Sequence, residues 1–443
     1  MLDFKSPVDL KEIGQETYSL ITELFPICRS ITGDGFRQTM RILQQQIPLQ
    51  IHEVPSRTKV FDWVVPREWN IKDAYVKNAK GEKVIDFQKS NLHVLNYSIP
   101  VKKVIPLKDL KEHLFTLPDY PDWVPYRTSY YKENWGFCLS HNALMKLEEG
   151  EYEVLVDSRL ENGSLTYGEL YLEGEKQEEV LISCHCCHPS LANDNLSGIS
   201  LATILAKYLR TVSHRLSYRF VFIPGTIGAI TWLSLNEPAV NRIKHGLVIT
   251  GVGDSGKITY KKSRRGDSEI DRAASHILKH SGQDYDIIDF YPYGYDERQY
   301  CSPAFNLPVG CLMRTPYGQY PEYHTSADNL ELVHPEFLGD SFSKLLAMLD
   351  ILENNRTYQN LNPKCEPQLG KRGLYSSIGT NELALLWVLN LSDGGNTLLD
   401  IAERSGIEFA AIQESARILS TNKLLKELME RHIAANPNGR RLT

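Results

Sequence analysis

Residues Cys184 to Gly198 read Cys-His-Cys-Cys-His-Pro-Ser-Leu-Ala-Asn-Asp-Asn-Leu-Ser-Gly, so one short stretch holds two imidazoles, three thiols and a carboxylate. Zinc takes nitrogen, oxygen and sulfur ligands of these types, and a catalytic zinc keeps one position open for water. His185, His188 and Asp194 are the candidate ligands here. Cys184, Cys186 and Cys187 could bind a soft metal or act as nucleophiles. The simpler reading makes them small buried hydrophobes at a strand end. A second polar group stands far along the chain, from Tyr320 to Asn329, and contains Glu322, His324 and Asp328. A third runs from Tyr293 to Tyr300 and contains Asp296, Glu297 and Arg298. Gly251 to Gly256 lacks the Gly-Lys-Ser/Thr pattern of a phosphate loop.

The surrounding elements suit such a site. Val180 to Ser183 reads as a buried strand and Ile199 to Leu209 as a helix, so the ligand candidates occupy a strand-to-helix loop. Ligands bind at the carboxyl ends of strands in open α/β sheets. Strands are expected at 170–172, 218–223, 246–250 and 308–313, and helices at 228–235, 267–280 and 336–352. This alternation predicts a mixed sheet flanked by helices. Two helices are expected between Leu10 and Ile47, joined by a turn at 26–35 in which Asp34 could cap the second. Arg29 could clamp a carboxylate, though an ordinary ion pair is the stronger reading.

The stretch 51–160 differs in composition. It holds four of the six tryptophans, and 91–97 and 152–157 alternate like strands. It is read as a mostly β domain inserted into an α/β domain made of 1–50 and 161–354. Its aromatics suit a core, and they could also stack on sugar rings or peptide side chains. A polar linker follows at 355–379. The unit 365–443 carries helical patterns at 382–390, 397–404 and 407–420, a helix-turn-helix arrangement with Leu424-Leu425 and a polar tail as a wing. It has nine Lys/Arg and nine Asp/Glu, which argues against nucleic acid and for a structural or partner-docking role.

The 443 residues are 42% hydrophobic and 23% charged, with a net charge of -6, as in a soluble globular protein. Met1 to Gly14 has no apolar segment of a signal peptide, and no run approaches the ~20 apolar residues of a membrane span. Three of the eight cysteines fall within four positions, which suits reduced thiols in a cytoplasm better than an exported disulfide framework.

Asn193-Asp-Asn-Leu-Ser-Gly198 resembles the Asn/Asp-Asp-Asn-x-Ser-Gly motif of zinc aminopeptidases with the phosphorylase/hydrolase-like fold, and His324-Thr-Ser-Ala-Asp328 resembles their final His-Thr-x-x-Asp. Nearly the whole chain is similar to a bacterial aminopeptidase-like family that adds an inserted β-rich domain and a C-terminal winged helix. The stretches 26–35, 61–66, 187–189 and 294–298 also fit it. The resemblance implies metal-dependent amide hydrolysis, most simply removal of an N-terminal residue from a peptide. It implies Asp194 and His324 as ligands. The first histidine is His188 by the Cys-His-Pro pattern or His185 by His-x-Asp, with the former preferred.

Two departures follow. The Glu-Glu pair expected after the next strand is replaced by Gly225-Thr226, and the aspartate expected after 246–249 is Thr250. A two-metal site should therefore shrink to a single zinc that activates a water. The general base must come from elsewhere: Asp296 or Glu297, then Glu322. Arg298 could neutralise a substrate carboxylate or the oxyanion, and Tyr293 or Tyr295 could donate to that oxyanion. Asp296, Glu297 and Arg298 could equally form a structural ion-pair network. The expected partner is a peptide or amide-containing small molecule, with no membrane, and a homo-oligomer is compatible with the sequence. The missing glutamates keep open a catalytically inactive descendant that binds a peptide or glycan-linked ligand. A DNA-binding regulator ranks last.

Overall fold

The computed structural model describes residues 8–374 and 381–428. The first residues of the chain, the end of the expected linker and the polar tail expected to complete the wing lie outside them. The chain divides into two compact units, Met1–Leu278 with Gly282–Ala347, and Lys279–Ser281 with Met348–Thr443.

The first unit is built on an eight-stranded sheet. Its strands, in chain order, are β1 (Gln50–Pro55), β2 (Ser164–Leu172), β3 (Glu179–His185), β4 (Ser217–Ile223), β5 (Ile243–Ile249), β6 (Ile258–Lys261), β7 (Tyr285–Ile288) and β8 (Val309–Met313). They lie in the order β1-β2-β4-β3-β5-β8-β6-β7. β4, β3, β5 and β8 run parallel, so their carboxyl ends share one edge, while β2 and the β6–β7 pair meet them antiparallel and β1 pairs antiparallel with β2 at the sheet's edge. Every residue of β3 and β4 is buried. That is why these strands read as continuous apolar runs rather than alternating ones. The four-residue strands β6 and β7 are too short to carry a readable pattern.

Two helices open the chain. Helix α1 (Leu10–Leu24) starts at Asp9, whose carboxylate accepts the N–H groups of Lys11 and Glu12 at 2.9 and 3.1 Å. Helix α2 (Asp34–Gln46) departs from expectation. Asp34 is its first helical residue, the cap position is Gly33, and the Asp34 N–H is held at 2.7 Å by Asn70 Oδ1. Gly33 has φ 95°, and a Cβ there would come 2.1 Å from the Trp69 carbonyl oxygen, so no capping side chain fits.

The β-rich excursion hangs from β1 and β2. Their ends, Pro55 and Ser164, face each other in register. Between them Lys83–Asp86, Glu68–Lys77, Glu151–Glu161 and Val101–Pro106 pair antiparallel in that order. The stretch 91–97 is not a strand. It opens with a 3-10 turn at Asn91–His93 and then makes only isolated bridges, Val94 to Phe137 and Asn96 to Thr128.

Arg37 of α2 ties this insert to the sheet. Its guanidinium holds Glu53 of β1 at 3.0 Å and both oxygens of Glu68 at 2.5 and 2.8 Å. Arg37→Met should destabilise the first unit by about 1–3 kcal/mol, because the largely covered Glu68 loses its cationic partner. The loss should shrink in acid. Burial opposes ionisation of Glu68, but Arg37 and the Ser164 N–H outweigh it and hold its carboxyl at about 2. A depressed carboxyl pKa stabilises the fold above the unfolded value and loses that effect as pH falls toward 2. Denaturant midpoints of both proteins at pH 7 and pH 3 check the prediction.

In the second unit a three-stranded sheet joins Asp393–Thr397, Thr357–Asn360 and Leu425–Glu427. Thr357–Asn360 falls inside the expected linker; its backbone is paired rather than free. Helices Glu382–Leu391, Leu398–Ser405 and Phe409–Thr421 complete the unit. Leu398–Ser405 opens on a Thr397–Asp400 capping box and ends at Gly406 with φ 70°, which sets the turn. On Phe409–Thr421 the two charged side chains, Glu414 and Arg417, pair with each other. Among the described residues no helix is long and apolar enough to cross a membrane.

Candidate metal centre

The parallel strand ends assemble the site. β3 ends at His185, and Ala192–Ser197 forms a kinked turn in which Asp194 and Asn195 leave helical geometry. Each residue of the Asn-Asp-Asn-x-Ser-Gly run has a separate task. Asn193 receives the Gly253 N–H at 3.0 Å and donates to Asp254 at 2.9 Å. Asn195 donates to the Ile249 carbonyl at 3.0 Å and accepts from Gly198 and Gly251. Ser197 accepts from Val252 at 3.0 Å. A Cβ on Gly198 would sit 2.4 Å from the Ile249 carbonyl oxygen, so only glycine lets the helix start this close to β5. All these bonds fasten the turn to the end of β5 and leave Asp194 as the one side chain free to point inward.

Three imidazoles meet Asp194. His185 Nε2 lies 2.9 Å and His188 Nδ1 3.6 Å from Oδ1, and His324 Nε2 lies 3.0 Å from Oδ2. One ligand atom each from His185, His188 and Asp194 falls within 4.8 Å of the others. Burial opposes the charge on Asp194, but the three histidines outweigh it and hold the carboxyl well below its ordinary value. Burial pushes His188 down to about 3, leaving it as the neutral imidazole that ligates metals. Asp194 Oδ2 and His324 Nε2 face each other without hydrogen-bond alignment, and His188 Nδ1 has no hydrogen-bond partner. Buried polar atoms are ordinarily paired. Several unsatisfied donors and acceptors converging on one point fit a divalent cation, and three imidazoles with one carboxylate are a zinc-type donor set.

Aromatic rings hold the imidazoles. Tyr295 stacks on His185 at 4.7 Å, Tyr323 stacks on His324 at 4.0 Å, and Tyr126 presents its edge to His188 and His324 at 5.1 and 5.2 Å. Tyr126 belongs to the insert, and its N–H donates to the His324 carbonyl at 2.8 Å. His324 has φ 56°, a left-handed conformation that costs free energy for a residue with a Cβ. The insert segment Val124 to Tyr126 keeps it there through this bond and a pair of bonds between Val124 and Ser326.

The remaining sequence candidates separate. Asp296 is wholly buried, neither carboxylate oxygen has a hydrogen-bond partner, and burial raises its pKa to about 7. A Cβ built on Gly225 would lie 3.0 Å from His185 Cβ and 3.6 Å from Asp296 Oδ2. Asp296, arriving on a different loop, therefore stands beside the position where the resemblance expected a glutamate. Glu297 instead pairs with buried Lys261 at 2.8 Å. Arg298 lies 6.0 Å from the Tyr293 ring, and Glu322 is half-buried, two residues from His324. Arg29 forms neither a clamp nor an ion pair. It is fully buried and donates to the carbonyls of His188 and Leu24 at 2.8 and 2.7 Å, so it holds the histidine loop by its backbone.

Asp328 had no assigned role in the sequence. Its oxygens accept the N–H groups of Asn193 and Asp194 at 2.6 and 3.0 Å, and burial beside the Asp194 charge raises its pKa to about 8. Asp328→Asn replaces one acceptor by a donor that opposes a backbone N–H. Metal affinity should fall about 10–100-fold, as when groups supporting a ligand are removed, with little change in the folded fraction. Zinc titration against a competing chelator reads this directly.

Residues 18–355 match the family described as "Domain of unknown function (DUF4910)", and residues 356–427 match a winged helix-turn-helix family. A "Putative polysaccharide biosynthesis protein with aminopeptidase-like domain" from Clostridium acetobutylicum is 57% identical over 94% of this chain and 97% of its own length. The crystal structure of a "putative peptidase" from the same organism superposes with a TM-score of 0.92 at 56% identity, covering 95% of this chain and 98% of that one. A zinc aminopeptidase from Bacillus subtilis superposes with a TM-score of 0.56 at 12% identity, over 76% of this chain and 94% of its own, a likeness of fold.

Proposed function

The chain belongs to the DUF4910 family, and from that premise we propose that it is a metal-dependent hydrolase of amide bonds working with a single divalent ion, zinc by its donor set. The observation that carries this reading is the convergence of His185, His188, His324 and Asp194 beside an unpartnered buried carboxylate, Asp296.

Asp194 and the imidazoles would hold the ion. Gly225, Thr226 and Thr250 offer no carboxylate for a second one. The ion would supply Lewis acidity and a water ionisable near neutral pH. Asp296 takes the proton from the attacking water and returns it to the leaving nitrogen. Tyr295 and Tyr323 keep the imidazole planes fixed. Lys261 neutralises Glu297 and leaves Asp296 as the base.

One relative is named for polysaccharide biosynthesis and another as a putative peptidase, so a peptide and a sugar are both candidate carriers of the amide. The test is metal content together with turnover of aminoacyl-anilides and acylated amines. About one zinc per chain with no amide cleaved across a broad panel would reject the hydrolase reading.

A further inference from the structure

The metal centre is flanked by tyrosines. On the insert side, the Tyr126 hydroxyl meets that of Tyr130 at 2.6 Å, and the neighbouring Tyr131 is 58% exposed and packs edge-on against exposed Trp63 at 5.5 Å. On the sheet side, Tyr295 contacts Tyr317 at 5.1 Å, and Tyr317 contacts Tyr293 at 5.8 Å, which is 67% exposed. Tyr126 joins the insert-side group to the centre through its edge-on contacts with His188 and His324, and Tyr295 joins the sheet-side group through its stack on His185. The His324 side chain is 36% exposed, so the centre reaches solvent on the side of this histidine.

We propose that the two walls bind a pyranose ring and that the amide cleaved at the centre is the N-acyl group of an amino sugar. This rests on the hydrolase reading and changes only the substrate class. A pyranose has apolar C–H faces and a polar equator, and tyrosine offers an apolar face with a polar tip. A tyrosine hydroxyl both donates and accepts, so these side chains can hydrogen-bond sugar hydroxyls while their rings cover the C–H faces.

A peptide N-terminus makes a different demand. Its ammonium needs a free carboxylate near the scissile bond, and the buried carboxylates here are committed. Asp194 faces the imidazoles, Asp328 takes two backbone N–H groups, Glu297 pairs with Lys261, and Asp296 is the base. Among the described residues, Glu322, two positions from His324, is a further carboxylate. In the cleavage of the sugar amide, water oxygen bonds to the acyl carbon and the carbon–nitrogen bond breaks. The water proton passes through Asp296 to the nitrogen, and the products are a free amino sugar and a carboxylate.

The experiment uses the full-length, zinc-loaded protein. Methyl glycosides of N-acetylglucosamine and N-acetylgalactosamine are titrated by calorimetry and assayed for acetate release, beside leucyl- and tyrosyl-anilides. Sugar binding that weakens about tenfold in Tyr131→Ala or Tyr293→Ala, at unchanged zinc content and with acetate released by the unaltered protein, is the expected result. Anilide hydrolysis with no sugar binding and no acetate, together with a raised KM in Glu322→Gln, would overturn the proposal and leave the hydrolase reading standing. Tyrosine-dependent sugar binding with no amide cleaved would keep the sugar site and remove the hydrolase reading. Neither binding nor cleavage overturns both.

Discussion

Asp194→Asn should fold and bind no zinc. Asparagine keeps the volume, and its carbonyl oxygen can still receive the His185 Nε2 hydrogen, so the fully buried position stays filled and paired. The charge is what disappears. Asp194 is the one carboxylate that all three imidazoles face. Affinity should drop by more than about 1,000-fold, since a neutral amide is a poor zinc ligand. Stability supplies an independent readout. Zinc at one hundred times its Kd stabilises the unaltered protein by about 2.7 kcal/mol through mass action, and that increment should be absent in the variant. Thermal unfolding with and without zinc, with metal analysis after gel filtration, measures both. Full occupancy in Asp194→Asn would contradict the ligand assignment. Parallel His185→Ala and His188→Ala variants then separate the two histidines that the sequence left open.

What was legible depended on range. The Asn193 to Gly198 run was readable because the carboxylate and the residues that hold its turn stand together in one short pattern that resembles the aminopeptidase motif, even though its bonds to β5 span 54 and 55 residues. The strands β3, β4 and β5 were readable as apolar runs because both faces are covered. The contributions of Arg29, Tyr126 and Asp328 were not. Each acts through backbone groups: Arg29 on a carbonyl 159 residues away, Asp328 on N–H groups 134 and 135 away, and Tyr126 on the carbonyl of a distant histidine. No local spacing encodes such bonds. The choice between Asp296 and Glu297 was hidden for the same reason. They are neighbours in sequence, and Lys261, on a strand too short to recognise, takes one and leaves the other. The cap of α2 was misread because the acceptor comes from Asn70 across the chain.

Asp296→Asn should retain zinc and lose about 10²–10⁴ in kcat, the range a general base contributes. The distinction from a supporting role is sharp. If Asp296 served only to orient His185, whose Nδ1 is unpartnered, the variant would lose metal affinity and rate together. The pH profile gives a second criterion. The base must be ionised to accept a proton, and burial places its pKa at about 7, so the rate of the unaltered enzyme should rise with pH and level off. A bound cation next to His185 favours the carboxylate, which moves that rise to or below pH 7 in the loaded protein. The residual rate of the variant should lack this limb. Stability of the metal-free protein supplies the opposite sign. A carboxyl whose folded pKa lies above its unfolded value of about 4 binds its proton more tightly in the native state, so its contribution is present in acid and is lost as pH rises through 7. Asparagine cannot titrate, and the metal-free variant should therefore lose less stability between pH 5 and pH 8 than the unaltered chain. Equal slopes, with kcat unchanged, would remove Asp296 from the mechanism and return the search for a base to Glu322.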